Sequence, residues 1–345
     1  MTKLAEYMDR FLPLIERELK DLRTLTGEVP DFYAMMRYHL GWLDENLEPI
    51  DGPKGKRLRP VLCLLACEAV GGDLEIALPA AAAIELIHNF SLIHDDIEDN
   101  SPTRRHRPTV WTLWGEPQAI NCGDGMFAAA ILKIGRLCDR GVPASRVLDA
   151  ERILVDTCLA LTEGQYMDMT FEASMEIGID RYLLMIQNKS AALISCAVQL
   201  GALLGGADPE TVCACAQFGE NLGMAFQVID DILGVWGAED VTGKSASTDI
   251  LTRKKSLPVV YALQNAELRA IYAQDEMGAL DVAQVVAILE REGARAFAER
   301  VAGEYSTAAL DLLEQANLEA SARQAIEDLA RSLLTDYLPV NAPKE

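Results

Sequence analysis

The 345-residue sequence lacks the cysteine and histidine patterns of a zinc site or a disulfide framework. Its eight cysteines lie mostly within apolar segments, with no CxxC pair and no histidines at zinc-ligand spacing. Cysteines in such surroundings are typical of small buried residues in a reducing compartment. The N-terminal residues also lack the basic-then-apolar layout of a signal peptide, so we expect a cytoplasmic location.

Positive charge is scarce, with 31 Lys and Arg residues against 53 Asp and Glu and a formal net charge of −22. A chain this acidic is unsuited to binding nucleic acid and offers no basic surface to anionic lipid. It also repels phosphorylated substrates at long range. Any phosphate site must therefore be made locally, by clustered lysines, arginines and metal.

Long uninterrupted apolar runs and strand-like alternation are also missing. The longest apolar stretch, residues 191–206, is broken by Ser195 and Gln199 and is too short for a membrane span, so we expect a buried helix there. Elsewhere apolar residues recur at steps of three and four, as in helices that bury one face. No low-complexity linker or internal repeat divides the chain. We therefore predict an all-α fold, with residues 1–345 forming one domain of about a dozen helices.

The apolar periodicity also predicts where the helices lie. A first helix is expected over residues 4–22, with a kink or break at Pro13. Later helices are expected over residues 32–43, 60–70, 79–99, 116–138, 144–171, 181–204, 209–236, 254–273, 282–292 and from 295 to a last helix ending near 337.

Four acids stand at the end of the helix predicted over residues 79–99. Asp95 and Asp99 share one face of that helix about one turn apart, with Asp96 and Glu98 between them. Like charges at this spacing destabilise a helix, and acids at its C-terminal end oppose its dipole. A hard divalent cation would compensate them, and Mg²⁺ is commonly held by one or two carboxylates together with the phosphates of a substrate.

Three arginines follow these acids in a turn that also contains prolines: Arg104, Arg105 and Arg107. Guanidinium groups match phosphate oxygens as paired donors. Acids suited to a metal and arginines suited to a phosphate thus stand side by side in the sequence. The alternative is a solvated acidic helix end followed by a basic loop, the usual explanation of a charge cluster.

A second pair of acids, Asp230 and Asp231, stands near the end of the apolar helix predicted over residues 209–236. Two such pairs, each at the end of an apolar helix, are harder to explain as solvated surface than one. If the two helices lie side by side, the acids could face each other across a cavity with metal ions between them. Several basic residues could reach the same cavity: Lys56, Arg57, Arg59, Lys189, Lys244 and Lys254.

Six motifs together resemble those of the trans-isoprenyl diphosphate synthases, also called polyprenyl synthetases. They are GKRLRP at 55–60, DDIED with RRHRPT downstream, GDG at 123–125, QNKSAALI at 187–194, FQVIDDILG at 226–234 and GKSASTDILTRKKSLP at 243–258. The match covers about residues 55–262, in the family's order. The resemblance implies a helical isoprenoid-synthase fold around a central hydrophobic cavity, closest to the short-chain geranylgeranyl and farnesyl diphosphate synthases. It also implies a homodimer.

The resemblance further implies a reaction. An allylic diphosphate would ionise with the help of Mg²⁺, and the double bond of isopentenyl diphosphate would attack the carbocation. Charge grows on the leaving diphosphate, so Mg²⁺, Lys and Arg would stabilise it electrostatically in a water-excluded pocket. No protein nucleophile is required, which fits a sequence with no convincing Ser-His-Asp or Cys-His arrangement.

The roles of individual residues are carried over from the family. The ligands of Mg²⁺ would be Asp95, Asp99 and Asp230, with support from Asp96 and Asp231. The allylic diphosphate would be bound by Arg104, Lys189 and Lys254, with Lys244 near the metals. The diphosphate of isopentenyl diphosphate would be held by Lys56, Arg59, His88 and Arg105. The family's remaining polar positions are filled here by Ser190, where Thr is usual, and by Gln227.

The sequence departs from the family at two positions near the second acid pair. Gly234 stands where many members carry a further aspartate, so one carboxylate is missing and most of the metal binding there is expected from Asp230. Arg253 replaces the usual glycine before Lys254, which puts the reach of that lysine in doubt. Asp249 is a family position for which we expect a structural or supporting role.

The residues before the first acids bear on product length. Ser91 and Phe90 lie about 6 and 7.5 Å down the helix axis from Asp95. A small residue below the acids lets a growing chain pass, whereas Phe90 narrows one side. This pattern resembles the short archaeal-type geranylgeranyl synthases, so we expect a C20 product.

Several alternatives stay open on the sequence alone. The product could be farnesyl or a longer polyprenyl diphosphate. A terpene cyclase on the same scaffold would not need the second diphosphate pocket made by Lys56, Arg59, His88 and Arg105. A non-catalytic partner subunit would usually have lost one acid motif, and both are present here.

Overall fold

A computed structural model of the chain describes residues 3–20, 29–53, 55–237, 248–274, 277–316 and 318–335. These residues are mostly helical, which confirms the predicted all-α fold. In chain order the α-helices are α1 (Lys3–Lys20), α2 (Pro30–His39), α3 (Leu58–Ala69), α4 (Leu74–Glu98), α5 (Val110–Trp114), α6 (Glu116–Gly135), α7 (Ala144–Glu172), α8 (Ile179–Ile186), α9 (Ala192–Gly205), α10 (Pro209–Trp236), α11 (Thr248–Leu251), α12 (Leu257–Ala262), α13 (Ala266–Tyr272), α14 (Ala279–Arg291), α15 (Ala294–Gln315) and α16 (Ala320–Thr335).

Two short strands, a 3₁₀ turn and a π-helical turn also occur among the described residues. Strands β1 (Thr103–Arg104) and β2 (Arg107–Pro108) form an antiparallel hairpin after α4, which the sequence did not predict. A 3₁₀ turn covers Cys138–Arg140, and a π-helical turn, Gln187–Ala191, joins α8 to α9.

Some predicted boundaries were wrong. Pro13 lies inside α1 without ending it, and the apolar residues Tyr7, Phe11, Ile15 and Leu19 on one face of this helix are buried. The helix predicted over residues 254–273 is instead two short helices, α12 and α13, because Asn265 caps the second by accepting hydrogen bonds from the backbone N–H groups of Glu267 and Leu268.

The chain divides into two compact units. Unit 1 is formed by the described residues of Met1–Asp156, Cys196–Cys213 and Asn317–Ile326, and unit 2 by those of Thr157–Ser195, Ala214–Ala316 and Glu327–Glu345. The single domain expected over residues 1–345 stays a prediction.

Helix α4 is the centre of unit 1 and packs against α3 and α6. Asp73 caps its first turn by accepting a hydrogen bond from the backbone N–H of Glu75. A run of fully buried alanines, Ala80–Ala83, lets the neighbouring helices come close to its middle. This burial fixes the position of the acids at its C-terminal end.

In unit 2, the C-terminal half of α10 is similarly buried, with Leu222, Ala225, Val228 and Ile229 almost inaccessible to solvent. Its last turns carry the second acid pair. Burial of one face leaves the other face of these turns to present Asp230.

Among the described residues, two helical segments are long and apolar enough to cross a membrane by length and composition alone, Leu74–Glu98 and Ile179–Gly205. The core helix of a soluble protein passes the same test, and 72% of the apolar window of Leu74–Glu98 is buried within this structure.

Candidate active site

The first acid motif lies at the C-terminal end of α4, as predicted. Asp99 is the C-cap residue, and its backbone N–H donates to the carbonyl of Asp95 at 2.9 Å. Asp99 is exposed and the side chain of Asp95 is 22% exposed, whereas Asp96 is buried. Of these three acids, Asp95 and Asp99 are therefore open to solvent at the end of the helix.

Asp96 is occupied by an ion pair with Arg104. The Nε of Arg104 donates to Asp96 Oδ1 at 2.7 Å, and its Nη2 reaches Asp95 Oδ2 at 3.4 Å. Burial raises the pKa of the Asp96 carboxyl to about 6, although the charge and hydrogen bond of Arg104 act in the opposite direction. Its second oxygen, Oδ2, is buried with no hydrogen-bond partner among the described residues.

The β1–β2 hairpin positions the arginines. Arg104 pairs with Arg107 across the strands, so Arg105 and His106 form the two-residue turn between them. Both turn residues have positive φ, 53° and 62°, as a type I′ turn requires. Non-glycine residues rarely adopt this conformation, and such strain is found preferentially at functional sites.

A cavity in unit 1 opens beside this hairpin. His39 lines it with a buried Nε2 that has no hydrogen-bond partner among the described residues. Arg107 is committed to the fold, because it donates to the carbonyls of Tyr38 and Leu43. The complete lining is Tyr38, His39, Pro53, Asp96, Arg104, Arg105, Arg107, Pro108 and Thr109.

Arg59 and His88 lie together, with Arg59 Nη1 3.4 Å from His88 Nε2. The Nε of Arg59 is buried without a partner in the described part of the chain. Burial lowers the pKa of both side chains, and the charges of Arg59 and Arg105 lower that of His88 further. An anion placed here would satisfy the open donors and relieve the repulsion between like charges.

Lys56 and Arg57, in the same loop before α3, are placed differently. Lys56 is exposed. The guanidinium of Arg57 is buried, donates to Glu85 Oε1 at 2.6 Å and Glu16 Oε1 at 3.0 Å, and is thereby committed to bracing the helices. The expectation that Arg57 reaches a substrate cavity is therefore wrong, because both carboxylates already hold its charge.

Phe90 and Ser91 lie on α4 below the acids. The ring of Phe90 makes edge contacts with His94, at 5.6 Å between centroids, and with Phe127 of α6, at 5.5 Å. Ser91 Oγ donates to the carbonyl of His88 within the helix. Phe127 thus joins Phe90 in an aromatic cluster that the sequence did not reveal.

The two acids of the second motif have different environments in unit 2. Asp230 is exposed and its side chain makes no hydrogen bond or ion pair with another described residue. Asp231 is buried and accepts hydrogen bonds from the hydroxyl of Tyr182 and, at 3.0 Å, from the backbone N–H of Leu257. Burial raises the pKa of Asp231 to about 6, with Lys254 and these hydrogen bonds opposing it.

The π-helical turn carries the QNKSA residues of the fourth motif. Lys189 Nζ donates to Asp168 Oδ2 of α7 at 2.5 Å. A Cβ at Gly164 would lie 2.3 Å from the backbone nitrogen of Lys189, so only glycine allows this close approach. Single π turns within helices are frequent at functional sites.

A chain of hydrogen bonds links this turn to the second acid pair. Ser190 Oγ donates to Gln227 Oε1 at 2.6 Å, and Gln227 Nε2 donates to Asp231 Oδ1 at 3.2 Å. The network fixes the amide of Gln227 between a hydroxyl and a carboxylate. Gln227 therefore contacts both Ser190 and the second acid pair, and Ser190 is linked to that pair through Gln227.

Lys254 follows α11 and lies among acids. Its Nζ is 3.8 Å from Asp249 Oδ2. Burial lowers its pKa, but Asp231, Asp249, Asp230 and Asp168 outweigh that effect and raise the pKa overall. Arg253 has a positive φ of 58° and donates to the carbonyl of Gln274, away from these acids. Lys244 lies outside the described residues.

The described residues contain no group of three or more His, Cys, Asp or Glu side chains placed to hold a metal ion by themselves. The exposed acids nevertheless have the chemistry that Mg²⁺ prefers, since this ion keeps several waters and is usually bound by one or two carboxylates and a substrate's phosphates. Asp95 and Asp99 on α4 and Asp230 on α10 fit that use.

Sequence reasoning missed three residues at these sites. Asp168 pairs with Lys189, Tyr182 binds Asp231, and His39 lines the cavity beside the β1–β2 hairpin. The need of Lys189 for a counter-charge could have directed attention to an acid on a neighbouring helix, but neither its position nor that of Tyr182 could be found from spacing. No motif in the sequence connects His39 to this cavity.

The comparison with known proteins agrees with these motifs. The chain matches the polyprenyl synthetase family over residues 41–289 and belongs to this family. It is 40% identical over 310 residues to the geranylgeranyl diphosphate synthase of Mycobacterium tuberculosis (strain ATCC 25618 / H37Rv), covering 88% of this chain and 86% of the relative.

Two further proteins show the range of the resemblance. The (2E,6E)-farnesyl diphosphate synthase of the same strain is 35% identical over 314 residues, covering 88% of this chain and 86% of the relative. The crystal structure of polyprenyl synthetase from Streptomyces coelicolor A3(2) aligns with a TM-score of 0.87 at 34% identity, covering 96% of this chain and 99% of that one.

Proposed function

We propose that this chain is a short-chain trans-prenyltransferase that condenses isopentenyl diphosphate with an allylic diphosphate, releases diphosphate and makes geranylgeranyl diphosphate. The observation that carries the proposal is a pair of buried nitrogen atoms in unit 1, next to the acid end of α4, that have no hydrogen-bond partner among the described residues. Arg59 Nε and His39 Nε2 are buried and unpaired among the described residues. A buried polar atom without a partner calls for an explanation, and a bound anionic ligand supplies one here.

We assign the diphosphate of isopentenyl diphosphate to Lys56, Arg59, His88 and Arg105. Desolvation lowers the pKa of Arg105 and Arg59, so a negative ligand is favoured at both. Arg57, fixed by Glu16 and Glu85, holds the start of α3 and thereby the backbone that carries Arg59. A terpene cyclase would have no use for this pocket, which supports a condensing enzyme.

We assign the allylic diphosphate to Arg104, Lys189 and Lys254, with Lys244 as a further contact. Arg104 is oriented by Asp96, and Lys189 by Asp168, so each cation has one acid that positions it. The positive charge of each side chain would also stabilise the negative charge on the oxygens of the leaving diphosphate. Gln227 is held in place by Ser190 and Asp231.

Mg²⁺ would be held by Asp95, Asp99 and Asp230, and when bound it would neutralise the charge that grows on the departing diphosphate. Asp96 and Asp231 keep these acids in place through Arg104, Tyr182 and the backbone of Leu257. The proton released in the condensation would go to the departing diphosphate, as the family resemblance implies.

Product length rests on Phe90 and Ser91. The small Ser91 leaves room beside α4, while Phe90 is buttressed by Phe127. The relative named a geranylgeranyl diphosphate synthase supports a C20 product. The relative named a farnesyl diphosphate synthase supports C15 as the second candidate.

The decisive experiment incubates the purified protein with labelled isopentenyl diphosphate, Mg²⁺ and a C5, C10 or C15 allylic primer in turn. Sizing of the dephosphorylated alcohols should give a C20 product from each primer. A C15 end point would favour the farnesyl alternative. Absence of any product from all three primers would refute the proposal, and a cyclic hydrocarbon from geranylgeranyl diphosphate alone would replace it by a cyclase.

We also propose that the enzyme acts as a homodimer in the cytoplasm. An exposed apolar stripe runs along one face of α7, formed by Leu148, Val155, Leu159 and Tyr166 at steps of seven, four and seven residues. The cysteines are all free, as expected in a reducing compartment. Sedimentation of a Leu148→Glu/Leu159→Glu variant should show a monomer where the parent sediments as a dimer. A parent that sediments as a monomer would contradict the assignment.

A further inference from the structure

A carboxylate from another part of the chain lies where the second motif lacks its last acid. Gly234 lies four residues after Asp230 on α10, so a side chain at 234 would project from the same face about one turn further on. A Cβ built on Gly234 would lie only 2.2 Å from Oδ2 of Asp249 and 2.6 Å from its Cγ. The carboxylate of Asp249 therefore occupies the start of the space that a side chain at 234 would need.

Asp249 reaches this position from another element of unit 2. It belongs to α11, and its side chain is 14% exposed. Its carboxylate is 3.8 Å from Lys254 Nζ, and its backbone carbonyl accepts a hydrogen bond from the N–H of Lys254 at 2.8 Å. Asp249 is thus fixed at both ends, against the backbone of α10 and against the lysine.

Two of the four carboxylates near the end of α10 remain able to bind a cation. Asp231 is occupied by Tyr182 and Leu257, and Asp168 by Lys189. Asp230 is exposed and makes no hydrogen bond or ion pair with another described residue, although its charge acts on Lys254, and Asp249 has only the long contact with the same lysine. Two carboxylates on one side of α10 match the number that Mg²⁺ usually takes from a protein.

We propose that Asp249 is the second carboxylate of the acid site on α10, where it supplies with Asp230 the oxygens that bind the divalent cation, and that glycine at 234 is required because it admits this carboxylate. The inference rests on the proposed function for the identity of the cation and its diphosphate. It goes beyond the expectation of a structural or supporting role for Asp249 and of a site that is one acid short.

The test moves the carboxylate from position 249 to position 234. The variants are Gly234→Ala, Asp249→Ala, Gly234→Asp and the double variant Gly234→Asp/Asp249→Ala, in the full-length chain. Thermal unfolding is followed in inorganic diphosphate at rising Mg²⁺ concentration, and the readout is the Mg²⁺ concentration that gives half of the maximal stabilisation. Because this assay needs no turnover, it stands apart from the proposed reaction. Product formation is measured in parallel.

Asp249→Ala should raise the half-maximal Mg²⁺ concentration by about tenfold, the lower end of the effect of losing a group that supports a metal site. Gly234→Ala should raise it similarly, although alanine is a better helix residue than glycine and would otherwise stabilise α10. Gly234→Asp should also bind Mg²⁺ less well, since its side chain collides with Asp249. The double variant should return to within about threefold of the parent, because only one carboxylate then occupies the space.

Two results would overturn the inference. One is an unchanged Mg²⁺ midpoint in both alanine variants. The other is a double variant no better than Asp249→Ala alone. Circular dichroism of each variant separates loss of metal binding from loss of folding. If the variants show the expected Mg²⁺ midpoints but the parent makes no prenyl product, the proposed function is refuted and the role of Asp249 is kept.

Discussion

Asp96 and Arg104 form the contact that ties the β1–β2 hairpin to the acid end of α4, with Arg104 Nε donating to Asp96 Oδ1 at 2.7 Å. Asp96 is almost fully buried, while the side chain of Arg104 is 29% exposed. The acid thus orients a guanidinium that is partly exposed and can still reach a ligand. In this way a residue of the acid motif acts through an arginine rather than through a metal.

Asp96→Asn should separate the contribution of this contact to folding stability from its contribution to catalysis. The amide keeps a hydrogen-bond acceptor and avoids burial of a charge, so the free energy of unfolding in urea should stay within about 1 kcal/mol of the parent. Loss of the ion pair should release Arg104 and lower kcat by about 100-fold, the effect of removing one preorganised electrostatic group. Glu98→Gln, at an exposed neighbouring position, is the control and should change kcat little. A wild-type kcat in Asp96→Asn would show that Arg104 needs no orientation by this acid.

Tyr182→Phe tests the support of the second acid pair. The variant removes one of the three groups that donate to the buried Asp231 while keeping the ring; the other two are the backbone N–H of Leu257 and the amide of Gln227. A hydrogen bond to a charged group contributes about 1.5–3 kcal/mol, so the free energy of unfolding should fall by about that amount. Tyr33→Phe is the control, since Tyr33 is partly exposed and packs by its ring against Phe32, so loss of its hydroxyl should change stability little. Equal stability of the two variants would argue against the Tyr182 hydrogen bond.

The main features of the fold and site could be predicted because they depend on local sequence. The apolar period placed the acids at the ends of two helices, and α4 and α10 end where this period ends. The i, i+4 spacing put Asp95 and Asp99 on one face without any tertiary information. The resemblance to the family then supplied roles for individual acids and basic residues, which spacing alone left open.

The partners of these residues could not be predicted, because each contact joins distant parts of the sequence. Lys189 meets Asp168 and Asp231 meets Tyr182 only after separate helices pack. The hairpin was missed for a different reason. Its type I′ turn is usually signalled by Asn-Gly or Asp-Gly, whereas here Arg105 and His106 adopt positive φ.

Phe90 and Ser91 should change product length in opposite directions. Phe90→Ala removes the ring that packs on Phe127 and opens space below the acids, so products longer than the parent's should form. Ser91→Phe adds a ring about 6 Å from Asp95 along the helix axis and should shorten the product. Chromatography of the dephosphorylated alcohols measures both. Phe297→Leu serves as a control, since its ring stacks on Tyr261 in unit 2 and its loss should leave length unchanged. Unchanged length in Phe90→Ala would remove Phe90 from this role.

His39 and His88 should couple diphosphate binding to proton uptake. Burial lowers the pKa of each imidazole well below 6.5, and four charges lower that of His39 further: Arg105, Arg104, Arg57 and Arg107. Without ligand both are neutral in the folded state, while the unfolded chain takes up protons below about pH 6.5. Stability of the free protein should therefore fall as pH decreases through that value.

A bound diphosphate offsets the positive charge around these imidazoles, so their pKa should rise and protons should be taken up on binding. Calorimetry of isopentenyl diphosphate without Mg²⁺ at pH 6.5, in buffers of different ionisation enthalpy, gives the number of protons exchanged. The ligand's own titration is the same for the parent and for a His39→Asn/His88→Gln variant, so the difference between the two isolates the histidines. We expect the parent to take up more protons than the variant and to lose more stability between pH 7.5 and 5.5. Equal proton numbers would place both imidazoles outside the field of the bound diphosphate.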